Sequence, residues 1–436
     1  MDATLHFIQE HADDDVRQLA LKAHSVEGID LPYCLDQIAG RQTARRKLPS
    51  WAAVDSIVYP PHISMEQCSS EQTAMYKKSV LDRLHSSFFT LHSSFIIDLT
   101  GGFGVDFSFM SRGFRRGVYV ERQEHLCDVA SHNFRCLGLE NAEVVCEEAD
   151  EYLDYCDKAD VIYLDPARRD THGAKTYAIS DCTPDVASLL PSLLKKACLV
   201  MIKLSPMLDW RKAIADLGEQ HVIEVHIVSV DNECKELLLL LSANHALSSS
   251  PSSIAPTLHC VNISAGALSS IVVPLFRQPQ CDKRQFASSD NPDSPDISDI
   301  LDNKDYPAIA AIPAFLFEPN ASIMKAGCFD ALIDRYPGLM KIAPNSHLFI
   351  STTEISDFPG RGFSIIKTTS MNKRELRSAL VGITSANIST RNFPMSVAEL
   401  RKRLKLREGG DIYIFATTDI NGAHIMYICA KLSKKK

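Results

Sequence analysis

The chain has 436 residues, 45% apolar and 23% charged, which gives material for about two to four packed domains and excludes a disordered tether. Thirteen cysteines lie scattered with no C-x-x-C and no paired ligand spacing. That argues against a structural zinc or a disulfide framework and for reduced thiols in the cytoplasm. Formal net charge is −8, but Met371 to Lys436 carries thirteen Lys/Arg against five Asp/Glu, so a +8 tail sits on a −16 body. A basic segment on an acidic body is the pattern of local polyanion binding, and equally of a solvated helix face.

Met1 to His6 lacks a basic stretch followed by an apolar core, so no signal peptide is expected. The longest aliphatic run, Leu237 to Leu241, is too short to span a bilayer, so no membrane partner is expected. Residues 1–90 read as a helical N-terminal region. Ala44 to Trp51, basic and broken by Pro49, reads as a solvated connector able to touch phosphate. Glu66 to Lys77 reads as a helix start that Ser69 or Ser70 can cap, with Thr73 and Lys77 on one face.

Next comes Ile96-Ile97-Asp98-Leu99-Thr100-Gly101-Gly102-Phe103-Gly104-Val105-Asp106. This reads as strand, glycine turn and helix, with glycines supplying positive φ and close backbone approach to a ligand. It is not the six-residue dinucleotide fingerprint, and no Gly-Lys-Ser/Thr follows for a P-loop. An ordinary strand-to-helix turn would look the same.

Gly117 to Glu121 is a second strand ending in an acid, placed to accept from both hydroxyls of a ribose. Ala142 to Cys146 is a third strand, with Asp150 just beyond it, where an acid can accept from an adenine amino group. A fourth strand, Val161 to Leu164, ends in Asp165-Pro166-Ala167-Arg168-Arg169. Leu199 to Leu204, Val222 to Val230 and Glu236 to Leu241 are further strands, the last buried on both faces. Alternating strands and helices predict an α/β fold with a doubly wound, mostly parallel sheet over residues 91–245.

Ser248 to Ser253 is a linker by composition, and Gln278 to Asp305 is polar, acidic and rich in proline. Residues 246–330 therefore read as a linker with a small α+β segment. Residues 331–436 read as an α+β module, with strands at 348–350, 363–366, 411–415 and 424–429 and a turn at Asn421-Gly422.

Asp98-x-x-Gly101-Gly102-x-Gly104, Glu121, Asp150 and Asp165-Pro166 stand at strand ends in one order. This set resembles a class I S-adenosylmethionine-dependent methyltransferase. The whole chain resembles a bacterial family with such a core, a helical N-terminus and a C-terminal THUMP-like module. The marks are Ser69-Ser70-Glu71-x-Thr73-Ala74-x-Tyr76-Lys77, Asp165 to Arg169, Glu318-Pro319-Asn320-Ala321-x-Ile323-x-Lys325-Ala326-Gly327 and Ser389 to Pro394. A looser likeness, over the core only, is to ribosomal RNA guanine-N2 methyltransferases.

The resemblance implies a seven-stranded Rossmann-like core whose last strand is antiparallel. It implies S-adenosylmethionine as cofactor, held by Asp98, Thr100, Gly101, Gly102, Gly104, Glu121 and Asp150, with Thr73 closing over it. It also implies RNA (tRNA or rRNA) as substrate. Asp165 and Pro166 are the candidate catalytic pair, since an acceptor aimed at an exocyclic N–H localises the nitrogen lone pair. Arg168, Arg169, Arg391, Arg403 and Lys405 are candidates for holding phosphate. Ala167 and Arg168 stand where amino-methylating enzymes carry a proline and an aromatic. Lys203-Leu204-Ser205-Pro206 offers no cysteine for uracil-C5 chemistry. The expectation is N-methylation of an RNA base. The alternatives are a protein or small-molecule substrate, or an RNA-binding module with a vestigial cofactor site. No metal is expected, and the sequence does not reveal the oligomeric state.

Overall fold

The structure, a computed structural model, describes residues 3–22, 28–88, 94–168, 179, 182–243, 255–275 and 313–432. The chain divides into two compact units. One comprises Met1–Val230, Cys234–Leu258 and Ile263–Gly266, and the other Asp231–Glu233, His259–Asn262 and Ala267–Lys436.

The first unit is built on strands β1 (Phe95–Asp98), β2 (Arg116–Glu121), β3 (Ala142–Cys146), β4 (Ala159–Leu164), β5 (Ala197–Leu204), β6 (Val222–Val230) and β7 (Glu233–Leu241). Their order in the sheet is β3-β2-β1-β4-β5-β7-β6. β1 to β5 run parallel, and β7 runs antiparallel to β5 with Val200 opposite Leu241. The chain order reverses beside β1, so β1 and β4 open a crevice at their carboxyl ends, where ligands bind in doubly wound sheets. β4, β5 and β7 read as continuous apolar runs because both faces are covered: Val161, Ile162, Leu199, Val200, Leu239 and Leu240 are fully buried.

The N-terminal helices share a core with the glycine turn. Ala44, Leu48, Trp51, Ile57, Tyr59, Met65 and Ala74 pack with Phe103 and Val105, and Trp51 meets the Phe103 ring edge-on at 4.9 Å. This corrects the expectation of a solvated connector at Ala44 to Trp51. The segment ends the helix Leu31–Lys47 and begins Pro49–Ala52, and Leu48 and Trp51 are core residues. Its lysine does not face phosphate, because Lys47 Nζ donates to the carbonyls of Met65 and Glu66 at 2.8 and 2.7 Å.

Two further strands, β8 (Thr257–Ser264) and β9 (Ala267–Pro274), lie where the chain passes between the units. The second unit holds β10 (Phe315–Pro319), β11 (Met340–Lys341), β12 (Phe349–Ser351), β13 (Gly360–Ser370), β14 (Asn387–Arg391), β15 (Ile412–Thr418) and β16 (His424–Lys431), in the order β11-β12-β10-β13-β16-β15-β14. Phe315–Pro319, expected in the linking segment, is thus an interior strand of this sheet, between β12 and β13. β14 was not foreseen; it adds parallel to β15. The turn at Asn421-Gly422 is present, with Asp419 Oδ1 accepting from the N–H groups of Asn421 and Ala423 at 2.9 and 2.8 Å. The acidic stretch from Gln278 to Asp305 lies outside the described residues.

Candidate active site

The glycine turn is shaped first by its own aromatic neighbours. A Cβ on Gly101 would fall 2.1 Å from the Tyr119 ring, and one on Gly104 2.8 Å from Phe134. Both glycines therefore make room for protein, contrary to the expectation that all three expose backbone to a ligand. Gly102 is different. Its φ is +55°, and a Cβ there would meet only the Thr100 carbonyl oxygen at 4.0 Å, so this residue leaves the turn open. Tyr119 Oη donates to the Gly102 carbonyl, and Gly101 N donates to Val120 O at 2.9 Å, tying the turn to β2.

The turn borders a cavity of about 1040 Å³ in the first unit. Asp98, Thr100, Gly101, Gly102, Gly104, Glu121, Asp150, Asp165 and Pro166 all line it, so strand ends separated in sequence converge as expected. Glu121 Oε2 accepts from Gly102 N at 2.9 Å and Oε1 from Gln123 N at 2.9 Å. Two backbone N–H groups thus aim its carboxylate. Asp98 is nearly fully buried and accepts from Thr100 N at 3.0 Å; desolvation pushes its pKa well above the usual carboxylate range. The Thr100 hydroxyl accepts from Asp165 N at 2.6 Å, joining the ends of β1 and β4. Among the described lining residues, nine are acidic and three, Arg122, Lys203 and Lys235, are basic. Such a lining suits a cationic ligand and disfavours a bare polyanion.

Thr73 does not line the cavity. Its hydroxyl donates to Ser70 O at 3.1 Å and its N–H to Ser70 Oγ at 3.3 Å, so Ser70 caps the helix Glu71–Phe88 and Thr73 is tied back to that cap. The same helix carries a buried lysine, Lys77. Lys77 has no exposed surface, and its Nζ donates to both oxygens of Glu236 at 2.8 and 2.6 Å. Asp106 Oδ1 lies 3.2 Å from the same ammonium, while Asp106 Oδ2 accepts from Ser69 Oγ at 2.7 Å and Tyr163 Oη at 2.8 Å. Burial opposes the Asp106 charge, but Lys77, Lys203 and these two hydroxyls outweigh it and lower its pKa. Burial pushes Glu236 upward even though Lys77 holds both its oxygens.

Lys203, near the end of β5, forms an ion pair with Asp165 Oδ2. Burial disfavours its charge, yet Asp165, Asp106 and Glu236 together raise its pKa and keep it an ammonium. Sequence reasoning noted Lys203 only as part of a stretch lacking cysteine. The available signal was a lysine ending an otherwise apolar strand.

Ala167–Arg168 forms a short antiparallel pair with Cys182–Thr183, and Ala167, Cys182 and Thr183 line the cavity. Arg169 lies outside the described residues. In the second unit, Arg391 does not stand free for phosphate: its Nη2 bonds Glu318 Oε1 at 3.0 Å, and Arg361 holds the other oxygen of that buried carboxylate. Lys402, Arg403, Lys405 and Arg407 are exposed on and just after the helix Val397–Leu404, whose start carries a Ser396/Glu399 capping box.

Residues 360–431 match the THUMP domain-like family, and residues 315–359 match a ferredoxin-like domain. A crystal structure from Porphyromonas gingivalis W83, provisionally described as a methyltransferase, is 28% identical to this chain. It covers 99% of this chain and 98% of its own, with a TM-score of 0.79. Shorter matches include an rRNA methylase from Streptococcus thermophilus (14% identity, 39% of this chain, 94% of that chain, TM-score 0.29). Another is a protein from Streptococcus mutans in complex with SAH, provisionally described as a methyltransferase (14% identity, 37% of this chain, 95% of that chain, TM-score 0.28). No curated protein matches the chain. The first unit has the class I methyltransferase fold, and residues 360–431 resemble a THUMP-like domain.

Proposed function

We propose that this chain, a class I methyltransferase fold carrying a THUMP-like domain, binds S-adenosylmethionine and methylates RNA. The observation that carries the cofactor assignment is the convergence of Asp98, Gly102, Glu121 and Asp150 on one acidic cavity. Gly102 leaves the backbone open there, and Glu121 presents a carboxylate aimed by two N–H groups. A cofactor with a sulfonium, an ammonium, a ribose diol and an adenine amine suits that donor set. When bound, it supplies an activated methyl group, so the protein's part is positioning. Asp98 and the glycine turn hold the methionine end, Glu121 the ribose and Asp150 the adenine amine.

RNA is supported by the THUMP-like match over 360–431 and by the exposed cations Arg403 and Lys405 within it. The −16 body and the acidic cavity lining mean that RNA attraction must be local. Asp165 stands at the transfer end, with one carboxylate oxygen held by Lys203. It suits an N–H acceptor, as base N-methylation requires. That chemistry also uses an aromatic face for the base, and the aromatics among the described lining residues are Phe103 and Tyr163. Both are committed to the fold: Phe103 packs on Trp51, and Tyr163 bonds Asp106.

Titration calorimetry with S-adenosylmethionine, with NAD as control, tests the cofactor. Binding of NAD alone would overturn the reading. Transfer of labelled methyl groups to RNA tests the substrate. Asp165→Ala should abolish transfer while leaving cofactor affinity within a few-fold, because the acceptor acts on the target atom.

A further inference from the structure

Four charged side chains meet where β4 and β5 end, and none belongs to the glycine turn or the ribose-binding strand. They come from four elements: Lys77 from the helix before β1, Asp165 from just after β4, Lys203 from β5 and Glu236 from β7. Their signs alternate. Lys203 pairs with Asp165 and Lys77 with Glu236, while Asp106 joins Lys77 from the glycine-turn helix. β7 runs antiparallel to β5 with Lys203 opposite Leu238, so Glu236, two residues along, lies on the same face as Leu238.

The two pairs are not equivalent. The Asp165 and Lys203 side chains are 36% and 13% exposed and line the cavity, whereas those of Lys77 and Glu236 are 0% and 2% exposed. The front pair can touch a substrate; the rear pair can only set its geometry and field. Buried charges are costly unless paired, so a doubled pair behind a methyl-transfer site asks for a chemical reason.

An exocyclic amine needs one N–H acceptor and a face to stack on. An alcohol needs something else. Its oxygen is a poor nucleophile until the proton leaves, so the site must offer an acceptor for the proton beside a donor that holds the oxygen. Asp165 and Lys203 are such a couple. Lys203 takes Oδ2 of Asp165, which directs Oδ1 to the incoming proton.

We propose that Asp165 and Lys203 receive a ribose 2′-hydroxyl, with Lys77 and Glu236 as positioning residues behind them. This deepens the RNA reading above and rests on it, since the 2′-hydroxyl is the alcohol that RNA presents at every nucleotide. The hydroxyl oxygen forms the new O–C bond to the methyl carbon as the C–S bond breaks, with the C–S electron pair staying on sulfur. The hydroxyl proton passes to Asp165 Oδ1 and from there to water. Lys203 holds the ribose oxygen in line and balances the charge on Asp165.

The test uses the full chain, methyl-labelled S-adenosylmethionine and RNA from a strain lacking the protein, digested to nucleosides after reaction. Label is expected in 2′-O-methylated nucleosides, and the methylated linkage should resist alkaline hydrolysis. Replacing the target ribose by deoxyribose should abolish incorporation. Label in a methylated base overturns the inference and leaves the RNA reading standing, whereas no label in any RNA overturns both. Lys203→Met should lower kcat about 100-fold, the scale of general acid–base effects, with cofactor affinity within threefold. Glu236→Gln should lower kcat at unchanged KM for RNA, because it acts only through the placement and field of the front pair. A Lys203→Met protein that melts like the wild type and transfers at its rate also overturns the inference.

Discussion

Asp98 ends β1 almost wholly buried, and desolvation pushes its pKa well above the usual carboxylate range. A carboxyl with a raised folded-state pKa contributes stability below its unfolded value that is lost as pH rises. Asp98→Asn keeps the acceptor for Thr100 N and removes the titration. Its melting temperature should therefore exceed that of the wild type at neutral pH, with the difference vanishing as pH falls toward the ordinary value of 3.8. Melting curves across that range check this, and calorimetry should find weaker cofactor binding. Glu121→Ala removes a carboxylate from the proposed ribose site and should weaken S-adenosylmethionine binding by about 1–3 kcal/mol, again by calorimetry. Lys77→Met leaves Glu236 and Asp106 buried without their ammonium and should destabilise the fold by about 3–5 kcal/mol in denaturant unfolding.

Within the glycine turn, adjacent residues answer to different demands. Gly101→Ala drives a Cβ to 2.1 Å from the Tyr119 ring, which β2 and Phe134 hold in place. Overpacking of this kind costs about 1–3 kcal/mol, so its melting temperature should fall. Gly102→Ala meets open space, and its φ of +55° costs about 1–2 kcal/mol. Gly102 lines the cavity, however, so its new methyl group would stand where the cofactor is proposed to bind. The expected contrast is that Gly102→Ala loses proportionally more cofactor affinity and Gly101→Ala more stability. Equal losses in both variants would remove Gly102 from the binding surface.

Across the whole chain, charge is divided between a −16 body and a +8 tail. The cavity lining shares the sign of the body, so the phosphate contacts we propose would fall to the tail's exposed cations. Arg391 is already engaged with Glu318, which leaves Arg403 and Lys405 as the stronger candidates. Replacing both with Ala should weaken RNA binding and flatten the plot of log affinity against log salt by about 1.4, the single-strand value for two released counterions. Cofactor affinity should not change. Binding curves at several salt concentrations decide it, and superimposable curves would return both residues to a solvated helix face.

Much of the site was legible in the sequence because it is written in local backbone demands. Strand ends, a turn needing positive φ and acids just beyond apolar runs show in short windows, whereas their order around the cavity follows the sheet order β3-β2-β1-β4. Asp98, Glu121, Asp150 and Asp165 were found that way. What the tertiary structure alone decided is which polar groups are buried and what they meet. Lys77 and Glu236 stand 159 residues apart, and neither window says that the other will be there. Trp51 sat in a basic stretch that reads as solvent-facing until Phe103 closes over it. β14 is defined as a strand only when β15 supplies its backbone partners. A local pattern fixes the face that an element offers, but a buried charge is tolerated only through a partner brought from elsewhere. The pairing of Lys77 with Glu236 and of Lys203 with Asp165 therefore appears only when the sheet is assembled.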